Sequence, residues 1–160
     1  MRLYFLILLV LLACDQLSKY WIISTMNLYE MREIIPGLFN LVHVTNKGAA
    51  FSMLASVDSP LRHWFFVSVN SAAVIGLTIA AFKMSDQWYR VAFALVGAGA
   101  LGNLIDRLRF GAVIDFLDIY LGSYHWPAFN VADSSICVGV GLLLILNILD
   151  IKKDKNRSNS

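Results

Sequence analysis

The sequence predicts an all-α membrane protein with four transmembrane helices and two long segments on one side of the membrane. Three observations predict it. Of the 160 residues, 58% are hydrophobic and 15% charged, whereas a soluble domain carries roughly 45–50% and about 25%. The mean hydropathy is +0.65. Four stretches approach the ~20 mostly apolar residues that a spanning helix needs, and most of the aspartates lie toward one end of those stretches.

The chain reads as a single polytopic membrane domain, 1–160. The first span covers about 3–24. Its start, Arg2 followed by an apolar run and Leu11-Leu12-Ala13-Cys14, has the form of a lipoprotein signal peptide. The apolar run resumes at Tyr20-Trp21-Ile22-Ile23, and three more spans follow, which favours a membrane helix. The second span, about 64–82, follows Ser59-Pro60, a helix-start signal. A polar turn, Lys83-Met84-Ser85-Asp86-Gln87, leads to the third span, about 89–105. The fourth covers about 134–149, and a polar tail, 150–160, is expected to be disordered from Lys152 onward.

Lysine and arginine set the orientation. With the N-terminus cytoplasmic, the inner positions hold Arg2, Lys83, Arg90, Lys152, Lys153, Lys155 and Arg157. The outer ones hold Arg32, Lys47, Arg62, Arg107 and Arg109. Both termini are therefore placed in the cytoplasm. Trp21, Trp64 and Trp126 then fall at the outer interface and Trp88 at the inner one, as an aromatic belt requires.

The outer segments, about 25–63 and 106–133, are too long for simple turns. Residues 38–45 are rich in β-branched and aromatic side chains and end at the turn signal Asn46-Lys47-Gly48, so they read as a strand. Residues 111–120 form a second extended run. The net charge of +2, with no dense basic block, gives no nucleic-acid signal. Cys14 and Cys137 read as free cysteines of an apolar core, and His43, His63 and His125 lack ligand spacing, so no metal and no cofactor are expected.

Ionisable groups inside a span are costly and mark function by default. Asp15 and Lys19 share a helix face four residues apart, either as a plain ion pair or as a pair that orders the outer site. Asp106 and Arg107 close the third helix, with Asn103 one turn earlier, and Arg107 is the expected charge partner of Asp106. Asp133 opens the fourth helix, as an N-cap or as a catalytic acid. Asp115 and Asp118 are three apart, so an extended chain turns them to opposite faces, and only Asp115 is expected at the site. Two carboxylates held close share a proton and act as base and acid together, which suits water-mediated peptide hydrolysis. A proton-coupled transporter is the main rival, although no inverted repeat is visible. A purely structural subunit leaves the converging aspartates without a reason.

Five motifs then carry a resemblance that spans nearly the whole chain. They are Asp15-Gln16-Leu17-Ser18-Lys19, Asn46-Lys47-Gly48-Ala49-Ala50-Phe51-Ser52, Gly99-Ala100-Leu101-Gly102-Asn103-Leu104-Ile105-Asp106-Arg107, Val113-Ile114-Asp115-Phe116 and Phe129-Asn130-Val131-Ala132-Asp133. In this order, on a four-helix chain, the sequence resembles lipoprotein signal peptidase (signal peptidase II), the aspartyl peptidase family of the bacterial inner membrane. The resemblance implies a small extracytoplasmic β-rich cradle with a flap-like segment in the first loop. It implies Asp115 and Asp133 as the catalytic dyad, with Asp15, Lys19, Asn46, Gly48, Asn103, Asp106, Arg107 and Asn130 binding substrate or supporting the site. The implied substrate is a diacylglyceryl-prolipoprotein, cut before its modified lipobox cysteine at the outer leaflet, among membrane lipids. The sequence leaves the oligomeric state open, and a monomer is the expectation. Family members are blocked by globomycin.

Overall fold

The structure, a computed structural model, describes residues 1–48 and 60–158, with side chains through residue 152. The Ala49-Ala50-Phe51-Ser52 part of the second motif, Ser59 and the implied flap-like segment lie outside the described residues. The four spans are α1 (Arg2–Thr25), α2 (Pro60–Lys83), α3 (Gln87–Phe110) and α4 (Val131–Ser158). All are long and apolar enough to cross a membrane.

Three boundaries differ from the sequence reading. Helix α2 starts at Pro60, where the Ser-Pro signal placed the start, one turn before the most apolar stretch. Helix α3 continues to Phe110 and stops at Gly111, whose φ of 73° ends the helix in the left-handed conformation. Its NH bonds to the carbonyl of Arg107. Helix α4 runs on to Ser158 instead of giving way to a disordered tail, because nothing after Leu149 is a glycine or proline stop.

Helix α3 is the centre of the bundle. Of its most apolar stretch 56% is buried, against 22% or less in each of the other helices. A helix enclosed on several sides needs small residues, and its buried positions include Ala92, Ala94, Gly97, Ala98, Gly99, Ala100 and Gly102. A side chain at Gly99 would fall on the Ala132 carbonyl of α4. Tyr4 and Leu8 of α1 pack with Ala81, Ala94 and Ala98 into one buried cluster. The outward faces stay apolar, with Leu6, Leu9, Leu17, Phe65, Ile75 and Leu144 all exposed, which is the surface of a protein whose solvent is lipid. Cys14 and Cys137 are free but sit on that exposed surface rather than in the core, a correction to the sequence reading.

A four-stranded antiparallel sheet stands at one end of the bundle, where α1 and α3 finish and α4 begins. Its order is β1 (Met31–Ile35), β2 (Phe39–Asn46), β3 (Val113–Leu121) and β4 (Tyr124–His125). The two central strands are those the sequence showed. The outer two are short and exposed along their whole length, so they carry little hydrophobic alternation to read. Ile22 and Met26 of α1 pack on Ile114 and Phe116 of β3 and fix the sheet to the bundle. A bulge in β2, between Leu41 and Val44, resets the pairing from Leu41–Leu117 to Val44–Asp115. Beyond it Asn46 pairs with Val113 and comes to lie diagonally across from Asp115, on the same face.

Candidate active site

Lys19 is the hub of a buried charge cluster. Its ammonium lies 2.9 Å from Asp15 and 2.7 Å from Asp106, and all three side chains are almost fully buried. The pairing with Asp106 corrects the sequence expectation of an Asp106–Arg107 pair. Successive helix residues point about 100° apart, so Asp106 faces α1 while Arg107 turns elsewhere. Two carboxylates and one ammonium leave an excess negative charge, and hydrogen bonds answer it. The Ala132 NH donates to Asp15 (2.9 Å) and the Ile114 NH to Asp106 (3.2 Å). Gln16 donates from its amide to both carboxylates, at 3.1 Å each. The cluster thereby ties the first turn of α4 and the start of β3 to α1 and α3. Gly102 makes room for it, since a side chain there would fall on the Asp15 carboxylate.

Asparagines extend the cluster outward. Lys19 donates to the Asn103 side-chain oxygen Oδ1 (3.3 Å), which orients the Asn103 Nδ2 to donate to Asp133 at 2.8 Å. Asn130 precedes α4 and caps it. Its Oδ1 accepts from the Asp133 NH (2.9 Å), while its own NH donates to the Asp133 carboxylate (3.3 Å). Asp133 is thus the third residue of the helix in a reciprocal capping box, rather than the N-cap itself. The remaining group of Asn130, its Nδ2, donates to Asp115 at 2.7 Å and to the Ile114 carbonyl at 3.1 Å. One fully buried asparagine touches both Asp115 and Asp133.

Asp115 is itself buried, with 2% of its surface exposed. Burial, and then the negative charge of Asp133, push its carboxyl up to about 7. Hydrogen bonds from Asn46 and Asn130 and the charge of Lys19 pull the other way without cancelling that rise. The Asn46 oxygen Oδ1 accepts from the Gly48 NH at 2.8 Å, which fixes the amide so that its nitrogen donates to Asp115. Gly48 has φ 101°, and a side chain there would fall on the Phe66 ring. Phe66 in turn carries the Arg107 guanidinium 5.1 Å from its ring centre. Arg107 donates to the Asn103 carbonyl (3.3 Å), and its charge acts on Asp133, Asp115 and Asp106.

All ten residues singled out in the sequence fall in this connected network. Asp118 does not. It faces away, accepts from Asn40 at 2.8 Å and pairs with His125 at 3.0 Å. Gln16 is the member that sequence reasoning missed as a site residue, although an amide inside an apolar span was a visible signal. Among the described residues no three His, Cys, Asp or Glu side chains gather as a metal site requires.

Comparison with known proteins gives this geometry its family. Residues 7–149 match the profile of signal peptidase (SPase) II. The chain belongs to the signal peptidase II family. The lipoprotein signal peptidase of Geobacter sulfurreducens is 50% identical over 134 residues, covering 84% of each chain. That of Geobacter metallireducens is 44% identical over 160 residues, covering 99% of this chain and 95% of its own. A bacterial membrane enzyme solved by the in meso method at 2.3 Å superimposes with a TM-score of 0.82 at 34% identity, over 96% of this chain and 92% of that one. As a signal peptidase II the chain is a multi-pass membrane peptidase, which removes the transporter and structural-subunit readings.

Proposed function

We propose that the chain is an aspartyl endopeptidase of the bacterial inner membrane that removes signal peptides from prolipoproteins, cutting before the diacylglyceryl-modified cysteine. The observation that carries this reading is Asn130, which touches two carboxylates whose environments differ. Asp115 is buried and lifted to about 7. Asp133 accepts N–H donors from Asn103 and from the Asn130 backbone at a helix N-terminus, where an anion is favoured.

In this reading Asp115 holds the shared proton at rest and Asp133 is ionised. Asp133 takes a proton from a water molecule, whose oxygen bonds to the scissile carbonyl carbon. Asp115 gives its proton to the carbonyl oxygen, and a tetrahedral diol results. The C–N bond then breaks as Asp133 returns its proton to the leaving nitrogen, and Asp115 recovers one from a diol hydroxyl. Asn130, Asn103 and Asn46 orient the two carboxylates, while Asp15, Lys19 and Asp106 hold the backbone beneath them. No cofactor enters these steps.

The location suits the substrate. A cysteine carrying two acyl chains lies at the membrane surface, and the dyad stands at the sheet-bearing end of the spans. Both termini are assigned to the cytoplasm, the dyad to the outer leaflet, and the working unit to a monomer of one polytopic domain. The test replaces Asp115 and Asp133 separately with Asn and follows precursor size on a gel with a diacylglyceryl-modified substrate. Loss of cleavage in both is expected, and full cleavage by either variant would falsify the dyad.

A further inference from the structure

At the end of the bundle opposite the dyad, a cavity of about 280 Å³ lies between the beginnings of α1 and α3. It is lined by Met1, by Arg2, Leu3 and Tyr4 from α1 and by Gln87, Arg90 and Val91 from α3. Two arginines face it and no acidic side chain does. Arg2 has no hydrogen-bond or ion-pair partner among the described residues, and the first turn of α1 holds no acidic residue and no side-chain cap. Arg90 is half-buried and fixed, because its Nε donates to the Met84 carbonyl at 2.7 Å. That bond leaves both Nη groups without a partner among the described residues. The nearest acid in sequence, Asp86, is occupied at 2.7 and 3.4 Å by the Trp88 and Tyr89 NH groups.

We propose that this cavity binds a phosphate group, and that the phosphate belongs to an anionic phospholipid of the leaflet on that side. A guanidinium with free Nη donors is built for phosphate oxygens. The 24 residues of α1 extend ~36 Å, against a hydrocarbon core of ~30 Å, so the first turn lies at headgroup depth. Leu3 and Val91 line the same cavity, and give an apolar wall to a ligand with a glycerol-acyl stem. A free phosphate ion would leave that wall unused. Exposed Trp88, next to Gln87 in the first turn of α3, is an interfacial residue of the same depth.

The test is native mass spectrometry of the full chain in detergent, titrated with phosphatidylglycerol, with phosphatidylcholine, or with inorganic phosphate in large excess as competitor. One retained phosphatidylglycerol adduct is expected, weakened about tenfold or more in Arg2→Gln/Arg90→Gln, the order expected for two cations at a lipid surface. Phosphatidylcholine should bind more weakly, and inorganic phosphate should not displace the lipid. Lys83→Gln/Lys152→Gln, which changes exposed basic residues that do not line the cavity, should bind as the parent does. Undiminished binding by the double arginine variant overturns the site. Displacement by inorganic phosphate overturns the lipid assignment in favour of a free ion. Both arginine replacements are remote from the dyad, so retained signal-peptide cleavage shows that the variant is folded.

Discussion

Replacing Asn46 with Ala should raise the pH at which the enzyme loses activity. The proposed mechanism needs a protonated Asp115, so activity is present below its pKa and is lost as pH rises through about 7. The Asn46 amide donates to Asp115 and favours its charged form, so removing the donor disfavours ionisation and the pKa rises. A hydrogen bond to a charged group contributes about 1.5–3 kcal/mol, and one pH unit corresponds to about 1.4 kcal/mol. The alkaline limb should therefore move to about 8 or somewhat above. Initial rates on saturating lipidated precursor, measured across the limb in detergent micelles, give the profile for parent and variant. If Asn46 served only to hold the β2 turn, through its bond to the Gly48 NH, the rate would fall at every pH and the limb would stay in place. An unmoved limb, or one displaced to lower pH, refutes the assignment of Asp115 as the proton donor.

Asn130→Asp keeps an acceptor for the Asp133 NH but removes the donor to Asp115 and adds a third carboxylate, so its alkaline limb should also move upward while the rate falls; a limb at the parental pH would contradict this. Lys19→Met strands Asp15 and Asp106 with their charges buried, a loss of about 3–5 kcal/mol. Thermal unfolding in detergent should show it as a marked drop in melting temperature, partly recovered when Asp15→Asn and Asp106→Asn are added, and an unchanged midpoint would mean the cluster does not hold the bundle. Gly102→Ala pushes a methyl into the Asp15 carboxylate and should cost about 1–3 kcal/mol together with cleavage activity. Gly76, with open space around it, should accept Ala without loss, and equal behaviour of the two variants would show that close approach at Gly102 is not required.

Much was legible in the sequence because hydropathy, turn residues and intramembrane charge are local quantities. The four spans need only a run of apolar residues of the right length, and β2 and β3 are central strands with β-branched and aromatic composition. The three-residue step from Asp115 to Asp118 sends them to opposite faces in any extended chain, and the structure gives Asp118 to Asn40 and His125. Edge strands β1 and β4 left no signal, since exposed strands need no alternation. The continuation of α4 past residue 152 was obscured because polarity suggested a tail, although polar residues without a stop signal propagate a helix readily.

What only the tertiary structure decided is which charge meets which. Sequence spacing assigns a residue to a face of its own helix and says nothing of what is packed against that face. Asp106 and Arg107 are neighbours in the chain, yet the rotation of α3 against α1 gives Asp106 to Lys19 and places Arg107 over Phe66. In the same way, the side on which the aspartates gather came from the sequence alone. Their division into Asp115 and Asp133 on one hand and Asp15 and Asp106 on the other was already implied by the family resemblance, but the link between the first two came from Asn130, whose two ends reach Asp133 and Asp115 only because α4 begins where β3 passes.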